Sequence, residues 1–202
     1  GVEVVMMLGH HTRAQAAGML QELGLDVAIL GSAANTDFPR LASLSSEASD
    51  AAALAAWALD HGMSGDVAGL LREALRLSNS MEEAISDAIH LLPRLLNEWS
   101  AVGVAAKKRM ASHRGYQAAW WLLASTHPEF AQVISTEVAE LSKGIGLAPV
   151  PLLGGDDLIA AGYLPGPHFA IALDAAYDAQ LAGLISTLEE AVSIAERTFR
   201  GD

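Results

Sequence analysis

Residues 152–190 read LLGGDDLIAAGYLPGPHFAIALDAAYDAQLAGLISTLEE, and their turn chemistry decides the fold. Asp156 has the character of an N-cap, a carboxylate ready to accept the amides of Leu158 or Ile159, and Asp157 suits the positive end of a helix. Gly162 stands where a short helix needs a left-handed residue to stop. In Pro165-Gly166-Pro167, a residue before proline is pushed to extended geometry and Pro167 supplies a ready first helical position. One helix therefore ends and another begins within five residues. From Phe169 onward Leu173, Ala176, Tyr177, Gln180, Leu181 and Leu184 recur on one face, with Asp174 and Asp178 opposite. Thr187-x-x-Glu190 is a capping box that opens a third helix. Gln180 lies inside the apolar stripe, so it is expected to be buried and hydrogen-bonded to backbone near 154–157 or 162–165.

Outward from this stretch the chain continues in the same idiom. It has 202 residues, 51% of them hydrophobic and many of those alanine, enough to bury a core. The longest apolar run, Ala51–Leu59, is too short to span a bilayer, and Val2–Leu8 lacks the basic leader of a signal peptide. With no cysteine there are no disulfides or thiolate metal sites, which suits a cytoplasmic protein. The net charge is −12, and from Glu129 to Asp202 eleven acids face only Lys143, Arg197 and Arg200. By charge alone this tail repels a nucleic-acid backbone.

Val2–Leu8 is expected to be a helix, since a lone strand would have nothing to pair with. Thr12 is expected to cap a helix that runs to Leu23 and closes at Gly24, and His10 and His11 are surface or capping groups. Ser32–Asp37 reads as a small-residue loop, with Asp37 capping a helix near Pro39. Ala51–Gly62 is helical. Ser80-x-x-Glu83 reads as a capping box for a helix with Ile85, Ile89, Leu92 and Leu96 inward, His90 packed beside them and Pro93 as a kink or break. Lys107, Lys108, Arg109, His113 and Arg114 form the one basic cluster, followed by Trp120-Trp121 as core aromatics. A further helix runs from Pro128 to Leu141, and residues 144–155 are a Pro/Gly connector.

The order Gly155-x-Asp157-Leu158-Ile159-x-x-Gly162-x-x-Pro165-Gly166-Pro167, then Asp178-Ala179-Gln180-Leu181-x-Gly183, then Thr187-x-Glu189-Glu190-Ala191 resembles the tail of the class II tRNA nucleotidyltransferase and bacterial poly(A) polymerase family. His10-His11-Thr12-Arg13 and the helix after it resemble the end of that family's neck, and Ser78-Asn79 matches its body. Where relatives carry a His-Asp pair, Leu59 replaces the histidine, Asp60 keeps the aspartate and His61 comes one position late.

The resemblance implies an all-α, elongated helical array without a significant sheet. It divides into the end of the neck helices (1–32), a helical body with a degenerate HD-like region (33–143) and a helical tail (144–202). It implies an RNA-binding and positioning role in RNA 3′-end processing, with tRNA or another RNA 3′ end as partner and the catalytic head elsewhere. Magnesium and a nucleoside triphosphate belong to that head. No catalytic residue, cofactor or metal ligand is expected in this chain, and no membrane partner. Lys107, Lys108, Arg109 and Arg114 are the candidate phosphate contacts; Asp156, Asp157, Gly162, Pro165, Gly166, Pro167 and Gln180 are the structural motif. The alternative is a helical scaffold that docks on the head or on a second copy as a homodimer. A third reading is an inactive relative of HD-type phosphohydrolases.

Overall fold

The computed structural model describes residues 1–31 and 37–200, and among them every regular element is a helix. In chain order these are α1 (Val2–Gly9), α2 (Arg13–Glu22), α3 (Leu25–Leu30), α4 (Pro39–Ser43), α5 (Asp50–Asp60), α6 (Val67–Leu75) and α7 (Asn79–Asn97). They continue as α8 (Val104–Ser112), α9 (Tyr116–Thr126), α10 (Pro128–Leu141), α11 (Gly155–Ala160), α12 (Pro167–Leu181) and α13 (Leu188–Arg200). The all-α expectation holds, including the helix at Val2. Of the loop expected at Ser32–Asp37, residues 32–36 lie outside the described residues.

The chain forms two compact units, Gly1–Ser100 with His113–Thr136, and Ala101–Ser112 with Glu137–Asp202. Residues 1–31 share a core with the helices that follow: Leu8, Ala17, Leu20 and Leu30 join Leu41, Leu54, Leu71 and Ile85.

At the centre of the first unit is α5, whose residues Ala51–Ala58 are all buried. Alanine makes this possible, because its small side chain lets α1, α4, α6, α7 and α9 pack on all sides of one short helix. Ser49 caps it, accepting from Ala52 N at 3.3 Å. Where α9 starts against α7, a Cβ on Gly115 would lie 2.6 Å from Asp87 Cβ, so only glycine permits the approach.

Several local expectations in this unit are corrected. The cap of α7 is Ser78, which accepts from Met81 N at 3.2 Å, while Ser80 bonds to Ser78 and Glu83 faces Arg114 instead of closing a box. The inward face of α7 is broader than expected: Ile85, Ala88, Leu91 and Leu95 are buried, Ile89 and Leu92 pack partly buried against the core as expected, and only Leu96 departs, 37% exposed; Pro93 lies inside a helix that continues to Asn97. His90 is exposed, its Nδ1 2.8 Å from Ser86 O. Thr12 stands at the cap position of α2 but turns its hydroxyl to His10 Nδ1 at 2.9 Å.

In the second unit α12 packs on α8 and α13 over a small core of Leu153, Leu158, Ala172, Ala176, Ala191 and Ala195. Here too one face is corrected. Leu184 is 76% exposed, because α12 ends at Leu181 and the left-handed Gly183 turns the chain away before the helical spacing reaches it.

Candidate functional site

The tail motif assembles from backbone satisfaction. Gly154, not Asp156, is the N-cap of α11, and Asp157 in the third helical position accepts from Gly154 N at 2.8 Å. The adjacent carboxylate misled because an N-cap is set by which residue is extended, and Gly154 is (φ −108, ψ 172). Gly162 is left-handed at φ 91, and the amide after it, Tyr163 N, reaches Leu158 O at 3.0 Å. Pro165 lies in the turn, Gly166 is the extended N-cap of α12 and Pro167 its first residue, as expected. Thr187 Oγ1 accepts from Glu190 N at 3.3 Å, and Glu190 Oε2 in turn accepts from Thr187 N at 3.1 Å and Ser186 N at 2.7 Å. Those two amides hold the Glu190 carboxyl below its ordinary value.

Gln180 is buried, as expected, at 6% exposure. Its anchor lies earlier than expected: Oε1 accepts from Leu152 N at 2.9 Å and Nε2 donates to Val150 O at 2.8 Å. Tyr177, three residues earlier on the same helix, donates its hydroxyl to Pro149 O at 3.1 Å. Asp157, Gly162, Gly166, Pro167 and Gln180 thus close turns or fasten the connector, while Asp156 is exposed and caps nothing.

The four candidate cations fall in both units. In the second, Lys107 Nζ lies 2.6 Å from Glu137 Oε2. Lys108 is only 5% exposed. Arg109 gives Nε to Asp178 Oδ1 at 2.5 Å and Nη2 to Asp174 Oδ1 at 3.1 Å, with its guanidinium 5.2 Å from the Tyr177 ring centre. Partial burial opposes its charge, but the two carboxylates outweigh burial and hold the group above its ordinary value. In the first unit Arg114 pairs with Asp87 through Nε and with Glu83 through Nη1 at 2.8 Å. Those carboxylates, Asp87 foremost, raise it likewise. Trp120 is half-buried and donates Nε1 to Ala131 O at 3.0 Å; its ring meets Trp121 edge-on, centroids 4.7 Å apart.

Asp60 and His61 are both taken up by structural contacts. Both oxygens of Asp60 cap α4: Oδ1 accepts from Arg40 N (3.2 Å) and Arg40 Nη1 (3.1 Å), and Oδ2 from Leu41 N (3.1 Å). Asp37 does not fill that place, since Phe38 precedes the helix in a left-handed conformation (φ 53). His61 is turned to Trp57 O at 2.9 Å and to Asp26 Oδ2 at 3.3 Å. Among the described residues no group of three His, Asp or Glu side chains is placed to hold a metal ion, and no helix is long and apolar enough to cross a membrane.

Two features escaped the sequence reading. Arg13 is 2% exposed and staples the α1–α2 elbow, donating Nε to His10 O at 3.0 Å and Nη2 to Gly9 O at 3.3 Å. Burial lowers its basicity, opposed by the charge of Asp50. An open groove of about 450 Å³ between α1 and α2 is lined by Met6, Met7, Ala16 and Met19, with Glu3, His10, Thr12 and Gln15 as its polar lining. Val2 and Leu23, one helical turn from Met6 and Met19, extend the apolar face and are 69% and 70% exposed. The 3.6-residue spacing of these side chains was available in the sequence, but periodicity does not say whether a stripe faces the core or the solvent.

Comparison with known protein families, with curated proteins and with solved structures finds no match for this chain.

Proposed function

We propose that this chain is a non-catalytic helical scaffold that acts by protein contact, and that the α1–α2 face is where it takes its partner. The observation that carries this reading is an exposed apolar face of Val2, Met6, Met19 and Leu23 around a groove. Apolar side chains left in solvent as one surface mark an interaction site, and methionines adapt to the shape of what they bind. The occupant that fits is an amphipathic helix with a cationic polar side, laid into the groove. Charge selects it: the exposed charged side chains of α1–α3 are Glu3 and Glu22, while the cation of these helices, Arg13, is buried. A second copy would bring the same acids against them.

The test is a titration of the full chain with a leucine–lysine model helix and with its leucine–glutamate counterpart. One-to-one binding of the lysine helix, lost at least tenfold in Met6→Glu/Met19→Glu but kept in Leu164→Glu, supports the reading. Equal binding by both variants would reduce it to bulk attraction to an acidic protein, and a concentration-dependent dimer would replace it with self-association.

A second reading, favoured by the resemblance of the tail motif, is an RNA-positioning role in a tRNA nucleotidyltransferase or poly(A) polymerase-like protein. Lys107, Lys108, Arg109 and Arg114 would be its phosphate contacts. It requires that Lys107, Arg109 and Arg114 leave their carboxylates for phosphate. A salt-dependent affinity for tRNA that falls, with a flatter salt slope, when these three are replaced by glutamine would restore this reading over the first.

A further inference from the structure

Sulfur is unevenly placed in this chain. It has six methionines and no cysteine, so thioethers are the groups that a peroxide meets first. All six lie among the described residues. Met110 is 1% exposed, and Met7, Met63 and Met81 pack partly buried against the core of the first unit. Met6 and Met19 alone stand open to solvent, at 65% and 58% exposure. Both line the groove between α1 and α2, Met6 from the first helix and Met19 from the second.

An oxidant has to reach the sulfur lone pair, so packing shields four thioethers and leaves the two on this face. We propose that Met6 and Met19 form an oxidation site that governs the α1–α2 face: a peroxide converts them to sulfoxides, and the face then releases its partner. In each transfer a sulfur lone pair attacks one peroxide oxygen, the O–O bond breaks and a sulfur–oxygen bond forms. With hydrogen peroxide, the departing hydroxide takes the proton of the transferred oxygen and leaves as water. Sulfur gives up two electrons and the peroxide gains them. The reverse step consumes two thiols, which become a disulfide, and returns the oxygen as water; this is the chemistry of methionine sulfoxide reductases.

The consequence is a change of surface without a change of fold. A thioether is apolar and adapts its shape to what it meets. A sulfoxide carries a strong dipole and an acceptor oxygen, and pressing it against the apolar side of a helix leaves that oxygen without a donor. Lysines of such a helix lie on its other side, away from the groove. Because both side chains already stand in solvent, the added oxygens displace nothing in the core. The release step rests on the reading of this face as a docking surface, while the oxidation site does not.

The experiment treats the full chain with limiting hydrogen peroxide and locates the added oxygen by peptide mass. Met6 and Met19 should fill first, with urea unfolding unchanged. Affinity for the leucine–lysine helix should fall about tenfold for each sulfoxide, the lower end of what burying a methionine contributes, and a thiol-driven sulfoxide reductase should restore it. Met6→Leu/Met19→Leu should bind as wild type does and ignore the oxidant. Oxygen spread evenly over Met7, Met63 and Met81 would overturn the proposal. So would selective uptake that leaves affinity unchanged, or an equal loss of affinity in the leucine variant. Should the untreated chain not bind the helix, the docking reading fails, and retention on an apolar matrix decides the rest. Retention that falls on oxidation in wild type alone supports control of the face by these two sulfurs, and unchanged retention refutes it.

Discussion

The two units are held together in different ways. The first has a broad core in which α5 is enclosed on all sides and Trp57 is fully buried, and two of its buried polar groups find partners far away in sequence, Asp60 with Arg40 and His61 with Asp26. In the second unit, four of the six buried residues in the cluster of α11–α13 are alanine, and the larger Tyr163, Phe169, Leu173 and Phe199 pack on it only partly buried. Caps and one buried amide add to its order. A core of small side chains removes little apolar area from water, so each hydrogen bond that closes a turn counts for a larger share of the stability. The first unit is therefore sensitive to lost volume, the second to lost polar anchors.

The largest expected effect tests the first half of that contrast. Trp57→Ala should cost about 3–5 kcal/mol in urea unfolding of the first unit, and Trp57→Phe less, because the indole Nε1 has no partner to lose. Next, Asp60→Ala should cost about 3 kcal/mol, since it strips two α4 amides and Arg40 of their acceptor. A loss under about 1 kcal/mol would show the cap to be dispensable. For the second unit, Gln180→Leu keeps the volume but orphans Leu152 N and Val150 O, at about 1–3 kcal/mol, seen as faster exchange of the Leu152 amide. If exchange is unchanged, packing rather than polar anchoring holds this unit, and the contrast fails.

The smallest effect is a pH dependence at α13. Because Ser186 N and Thr187 N hold the Glu190 carboxyl below its ordinary value, its contribution is whole above the unfolded-state value and is lost as pH falls through the folded one. Exchange protection of these two amides should weaken in acid, and Glu190→Gln should remove most of that dependence.

What the sequence disclosed follows the same division. The stop at Gly162, the start at Pro167 and the Thr187–Glu190 box were legible because each depends on residues within four positions. Caps went wrong where two candidates stood side by side, Asp156 against Gly154 and Ser80 against Ser78, since the choice depends on a backbone angle that composition does not carry. Asp37 was misjudged for a different reason: the acceptor for α4 comes from Asp60, and a partner twenty residues away leaves no periodic trace. The burial of Gln180 was readable from its place in the stripe, but its partners were not. The basic cluster at 107–114 was visible as composition, while the carboxylates that meet it come from α7, α10 and α12.

The double bond from Gln180 to Val150 and Leu152 has a topological result. It turns residues 150–180 into a ring of chain shut by a noncovalent clasp. Extra residues spliced in near Leu164, which is 88% exposed, would enlarge the ring without touching the clasp. The same number placed between Leu152 and Gly154 would drag the connector out of register with the amide, so this segment should tolerate lengthening at its tip and resist it at its neck.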